Sequence, residues 1–125
     1  GTATITNKTY FDLDGDLRDI PKSRTVATTT ISAAQTDTGN FIFLTSSDQT
    51  VVIPTAAGTF DTGDIFSVVS AGATADSTTN ISSNITSMFV AGGASATATV
   101  AIAANGVASV LFVSAGHAFV TGNVS

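Results

Sequence analysis

Residues 95–115 read SATATVAIAANGVASVLFVSA, and this stretch decides the fold class. From Ser95 to Ala104 the pattern alternates strictly, with Ala96, Ala98, Val100, Ile102 and Ala104 sharing one parity. Strand side chains point alternately to opposite faces, so a period of two marks a half-buried strand. Asn105-Gly106 is the dipeptide that favours a tight hairpin turn, and VASVLFVSA (107–115) reads as the returning strand. The inward side chains of 95–104 are small, so the groups facing them must be large, or another backbone must approach closely. Phe66, Phe89, Phe112 and Phe119 are the candidates.

The same reading extends upstream. NFIFLT (40–45) alternates, with Phe41 and Phe43 on one face and Ile42 and Leu44 on the other. Ser46-Ser47-Asp48-Gln49 reads as a tight turn and TVVIP (50–54) as its return strand, which predicts a β-hairpin. TVATTTIS (25–32), IFSVVSAG (65–72), ISSNI (81–85), SMFVA (87–91) and AFVTG (118–122) read as further strands. Loops are expected at 33–39, where Asp37 and Gly39 are turn formers, and at 73–80, the most polar stretch. Turn signals recur every eight to twelve residues, the spacing of a sandwich or small barrel.

Composition agrees. All nine acidic residues are Asp, Glu is absent, and Leu occurs only at 13, 17, 44 and 111. The strong helix formers are missing apart from Ala, while Thr, Val and Ile abound. There is no Cys, so neither disulfides nor thiolate-bound metal hold the fold. The expected architecture is all-β: a single antiparallel β-sandwich or small, jelly-roll-like barrel over 25–125. An extended N-terminal tether over 1–24 precedes it. Ile20-Pro21 forces the residue before proline out of the helical region, and TATITNKTY (2–10) alternates like an extended strand.

Charge narrows the classes of function. Lys8, Arg18, Lys22 and Arg24 are the only basic residues, and all lie before residue 25. The body carries Asp37, Asp48, Asp61, Asp64 and Asp76 without a cation, so no internal Lys or Arg bridge is expected within it. A chain so arranged has no cationic groove for nucleic acid and no polybasic patch for anionic lipid. No apolar run approaches the ~20 residues of a spanning helix, and no signal peptide is visible. Neither nucleic-acid binding nor membrane insertion is expected.

Few residues carry chemistry. Asp12, Asp14 and Asp16 alternate in DLDGD and are the only candidate Ca²⁺ ligands. An EF-hand loop from Asp12 needs glycine at 17 and glutamate at 23, where the chain has Leu17 and Ser23, so no metal is assigned. His117 is the single histidine; Ser114 lies near it, without a nucleophile elbow or oxyanion motif. The glycines lack the lysine and helix of a phosphate loop. No catalytic residue and no cofactor are expected, and the chain reads as a non-enzyme. If the body touches another surface, loops 33–39, 46–49 and 73–80 are the candidates, above all Asp76, Ser77, Thr78 and Thr79.

Three stretches carry a resemblance. DLRDIP (16–21) opens the body; TVVIP (50–54) is followed by TGDIFSVV (62–69); and ANGVASVLFVSAGHAFVTGNVS (104–125) closes the chain. In this order they resemble the C-terminal modules of tail-fibre and other virion-appendage proteins of tailed bacteriophages. TATITNKTY (2–10) resembles the segments that lead out of fibre shafts in such proteins. One departure is that 96–106, ATATVAIAANG, lacks the basic residue the family carries before its Gly-Val-Ala strand. The resemblance implies a homotrimer located in the virion, assembled in the host cytoplasm, with a role in virion architecture or host attachment. The N-terminal segment, through Ile5, Tyr10, Phe11, Leu13 and Leu17, would then engage other virion proteins, and the loops a host-surface glycan or protein. A capsid decoration or head-fibre protein, and a bacterial adhesin or carbohydrate-binding module, remain the alternatives.

Overall fold

The computed structural model describes residues 10–11, 17–18, 21–46, 48–54, 59–71 and 79–125. Near the N-terminus, β1 (Tyr10–Phe11) and β2 (Leu17–Arg18) pair antiparallel, with Tyr10 opposite Arg18 and Phe11 opposite Leu17. This part of the expected tether therefore folds back on itself. The body contains β3 (Ser23–Val26), β4 (Thr30–Ser32), β5 (Phe41–Leu44), β6 (Thr50–Ile53) and β7 (Ile65–Ser70). These are followed by β8 (Thr79–Ser83), β9 (Ser87–Val90), β10 (Thr99–Ile102), β11 (Val107–Ser114) and β12 (His117–Gly122). Among the described residues the only helical element is a three-residue 3-10 turn, Gln35–Asp37. The fold is all-β, as the composition predicts, and its strands form two sheets compatible with a sandwich.

One sheet has six strands in the order β3-β5-β7-β11-β12-β9, the other four in the order β10-β8-β6-β4. From β3 to β8 the chain changes sheet at every step. Strands β3, β5 and β7 lie side by side and parallel in the first sheet; β4, β6 and β8 do the same in the second. The first half of the body is therefore a coil of three circuits. Its register steps from Arg24 to Ile42 to Val68 on one side and from Ile31 to Val51 to Ile81 on the other. The second half closes the sheets with antiparallel ladders, β8 with β10, β7 with β11 and β11 with β12, plus one parallel pairing of β12 with β9.

This topology corrects three expectations. The sheets are mixed, not purely antiparallel. Residues 40–45 and 50–54 do not form a hairpin, since β5 and β6 lie in different sheets. Nor do 95–104 and 107–115, since Asn105-Gly106 joins β10 of one sheet to β11 of the other. Periodicity fixes which side chains point inward, and it is identical for a hairpin and for an arch that crosses between sheets. The turn geometry separates them. The type I′ hairpin turn that Asn-Gly favours needs positive φ at both central residues. Here Asn105 has φ 55 and Gly106 is not in that region. Instead Gly106 N–H donates to Ala103 O at 2.9 Å, and a Cβ on Gly106 would sit 2.7 Å from that oxygen.

One apolar core draws on both sheets. The four-stranded sheet contributes the row Ile31, Val51, Ile81 and Val100. The six-stranded sheet contributes Ile42, Val68 and Ala108 in one row and Phe66, Val110 and Val120 in another. Phe60 stacks on Phe112 with ring centroids 4.4 Å apart and on Phe66 at 5.5 Å. Of the four phenylalanines proposed as fillers, Phe66 and Phe112 are buried, while Phe89 and Phe119 lie on the opposite, outer face. The regular strand within 95–104 is only Thr99–Ile102; Ala96, Ala98 and Ala104 are exposed outside it. Val100 and Ile102 point inward as predicted.

Candidate functional site

The two sheets differ in what they show outward. On the four-stranded sheet, one cross-strand row reads Thr99, Ser82, Val52, Ser32 and the next Ala101, Asn80, Thr50, Thr30. That is the hydroxyl and amide surface expected of a solvated sheet face. On the six-stranded sheet one row reads Thr25, Phe43, Val69, Val107, and another Ile65, Leu111, Phe119, Phe89. Between them runs Ser23, Phe41, Ser67, Ser109, Thr121, with Ser67 and Ser109 hydroxyls hydrogen-bonded at 3.0 Å. No Asp, Lys or Arg occupies any of these outward rows. Ile65, Val107, Leu111, Val113 and Phe119 are each 39–47% exposed. Phe89 and Phe119 stack at 5.4 Å between centroids.

The face is shaped as well as apolar. Along its β5–β7 half runs an open groove of about 450 Å³, lined among others by Pro21, Asn40, Phe41, Ile65, Ser67 and Val69. The β11–β12 half carries the exposed Leu111, Val113 and Phe119. The sequence signal for this face lies in strands apolar on both parities: FIFL (41–44), IFSVV (65–69) and VASVLFV (107–113). A strand with one face in water should alternate with polar residues, and these do not.

Two polar side chains are buried in the arches that carry the chain between sheets. Gln49 is fully buried: its Nε2 donates to Val26 O at 3.0 Å and Thr28 O at 2.7 Å, and its Oε1 accepts from Ser46 N–H at 2.9 Å. Asp37 pairs with Arg24 at 2.7 Å and accepts from Ala34 N–H at 2.8 Å. These contacts stitch successive circuits together. They also correct the charge reading. β3 begins at Ser23, so Arg24 belongs to the body, and an arginine bridge does tie its sheet to the arch at 33–39. The loops at 33–39 and 46–49, read as surface turns, each hold a structural polar group inside.

Ser114 Oγ and His117 Nδ1 lie 2.9 Å apart across the β11–β12 turn, on an exposed edge. No carboxylate contact to His117 is present among the described residues. A serine with a base and nothing to orient it or to hold an oxyanion is a weak nucleophile. Among the described residues no three His, Asp or Glu side chains gather as metal ligands. Asp12, Asp14, Asp16, Ile5 and Leu13 lie outside the described residues, as do Asp76, Ser77 and Thr78. Tyr10 and Phe11 form β1 and Leu17 opens β2. Thr79 is the first residue of β8 and pairs with Ile102, so the last two residues of the expected 73–80 loop, Thr79 and Asn80, belong to the strand. Comparison with protein-family models, curated proteins and solved structures found no match.

Proposed function

We propose that the chain is a non-enzymatic structural module of a tailed-phage virion, belonging to a tail fibre or related appendage and assembling as a homotrimer. The N-terminal segment engages other virion proteins, and the loops are available to a host-surface glycan or protein. The observation that carries the reading is the uncharged, largely apolar outer face of the six-stranded sheet, opposite a hydroxyl-covered face. Large outward apolar rows are a property of chains that bury them against a neighbour. The resemblance of 16–21, 50–69 and 104–125 to appendage modules supplies the particle.

The test is location. An antibody to residues 25–125, applied to purified particles of the encoding phage, is imaged by electron microscopy. Labelled tail appendages are expected. Label confined to the capsid favours the decoration or head-fibre alternative, and unlabelled particles whose proteins lack this chain overturn the virion reading.

A further inference from the structure

We propose that Asn105 is a site of spontaneous deamidation, through attack by the main-chain nitrogen of Gly106, and that the folded arch between β10 and β11 holds this reaction off. The modification needs no enzyme and is independent of where the chain resides.

The chemistry starts from the sequence. Of the chain's six asparagines only Asn105 is followed by glycine; Lys8, Phe41, Ile81, Ile85 and Val124 follow the others. Glycine has no Cβ, so its amide nitrogen can approach the preceding side chain with little steric hindrance. In the reaction the Gly106 nitrogen loses its proton to solvent base and bonds to Cγ of Asn105. The Cγ–Nδ2 bond breaks and ammonia leaves. The five-membered imide so formed takes up water at one of its two carbonyls and opens to aspartate or isoaspartate. Asn105 is exposed, so water reaches it.

The fold opposes the first step. Gly106 is buried although Asn105 is not. Its N–H donates to Ala103 O at 2.9 Å, and its carbonyl accepts from Ser70 N–H at 3.0 Å. An amide held in this way gives up its proton only when the structure opens locally. The same bond keeps the nitrogen from swinging onto Cγ. Asn105 is itself fixed at φ 55, in the left-handed region.

Asn123 grips the arch on both sides of the reacting pair. Its main-chain carbonyl accepts from Ala103 N–H at 2.9 Å, and its N–H donates to Val107 O at 2.9 Å. Its side-chain Oδ1 accepts from Val107 N–H at 3.3 Å. A Cβ added to Gly106 would lie 3.1 Å from Cβ of Asn123, so the two residues are closely packed. The Asn123 side chain is thus a positioning group that keeps the arch closed. Isoaspartate at 105 would route the main chain through the side-chain carbon and add one backbone atom to a turn closed by the 103–106 hydrogen bond. It would also add one negative charge. A modified copy is therefore expected to be less stable than the original.

The test incubates the full wild-type chain at mildly alkaline pH, native and in denaturing guanidinium chloride. Chymotryptic digestion and mass spectrometry then locate the modified residue. Aspartate and isoaspartate should accumulate at Asn105 ahead of every other asparagine. The native chain should react at least about tenfold more slowly than the unfolded one, because reaction waits on local opening. Asn123→Ala, shown by far-UV circular dichroism to be folded, should speed the native reaction several-fold and leave the unfolded rate unchanged. An unfolded chain that deamidates no faster at Asn105 than elsewhere overturns the site. A native chain that reacts as fast as the unfolded one overturns the protection by the fold. A folded N123A with the wild-type native rate overturns the role given to Asn123. If N123A does not fold, the wild-type comparison decides the proposal.

Discussion

The side-chain amide of Gln49 donates to the carbonyl of Thr28 at 2.7 Å, joining two arches 21 residues apart in sequence. The same nitrogen also serves Val26 O, so one buried glutamine satisfies two main-chain acceptors where the chain leaves the six-stranded sheet. Truncating it removes those bonds and leaves a cavity. Gln49→Ala should cost about 2–4 kcal/mol, lowering Tm by roughly 10 °C. Gln49→Glu should cost more, since it faces a carboxylate to two carbonyls. Urea unfolding checks the order, and a Q49A variant as stable as wild type would show that the arch contact is dispensable.

Arg24 and Asp37 lock the first circuit in a different way. The carboxylate is buried while the guanidinium is partly in water. Removing Arg24 alone leaves the charge of Asp37 inside with the Ala34 N–H as its remaining side-chain partner among the described residues. Arg24→Ala should cost about 2 kcal/mol, discounted for the solvent that reaches the pair. The double variant R24A/D37N should recover part of the loss, because Asn keeps an acceptor for Ala34 and carries no charge. A double variant less stable than R24A alone would contradict this.

Gly122 has φ 123, and a Cβ there would collide with Val107 O across the β11–β12 ladder. Both effects penalise any side chain. Gly122→Ala should destabilise by about 2 kcal/mol or more, measured by chemical denaturation. An unchanged midpoint would show that the ladder end moves aside freely.

Much of this fold is legible in the sequence, and the reason it stops where it does is physical. Alternation set Ile42 and Leu44 on one face of their strand and turned Val100 and Ile102 inward, because face is a local property of strands. It could not say which strand lies beside which. Ser46–Gln49 and Asn105-Gly106 have hairpin-like composition, yet they are arches, and what marks the first as an arch is a contact from Gln49 to a segment more than twenty residues earlier. The outer face was visible as apolar residues on both parities in 41–44 and 65–69. Such runs were read only as strands, since their meaning depends on knowing that the other parity is already buried. Phe60 was overlooked as a core residue because it lies in no strand.

The broken EF-hand spacing over 12–23 predicts that folding needs no metal. Excess EDTA should leave Tm unchanged. A fall of more than about 5 °C, roughly 1 kcal/mol for a domain of this size, would point to Asp12, Asp14 and Asp16.

The central claim is that the chain assembles with copies of itself through apolar burial. Salt separates that mechanism from ion pairing. Raising ionic strength screens the mutual repulsion of copies that each carry −5 and leaves apolar burial intact. Sedimentation velocity of the wild-type chain from about 0.05 to about 0.5 M NaCl should show an assembly that holds or tightens. An assembly that dissociates as salt rises would contradict it.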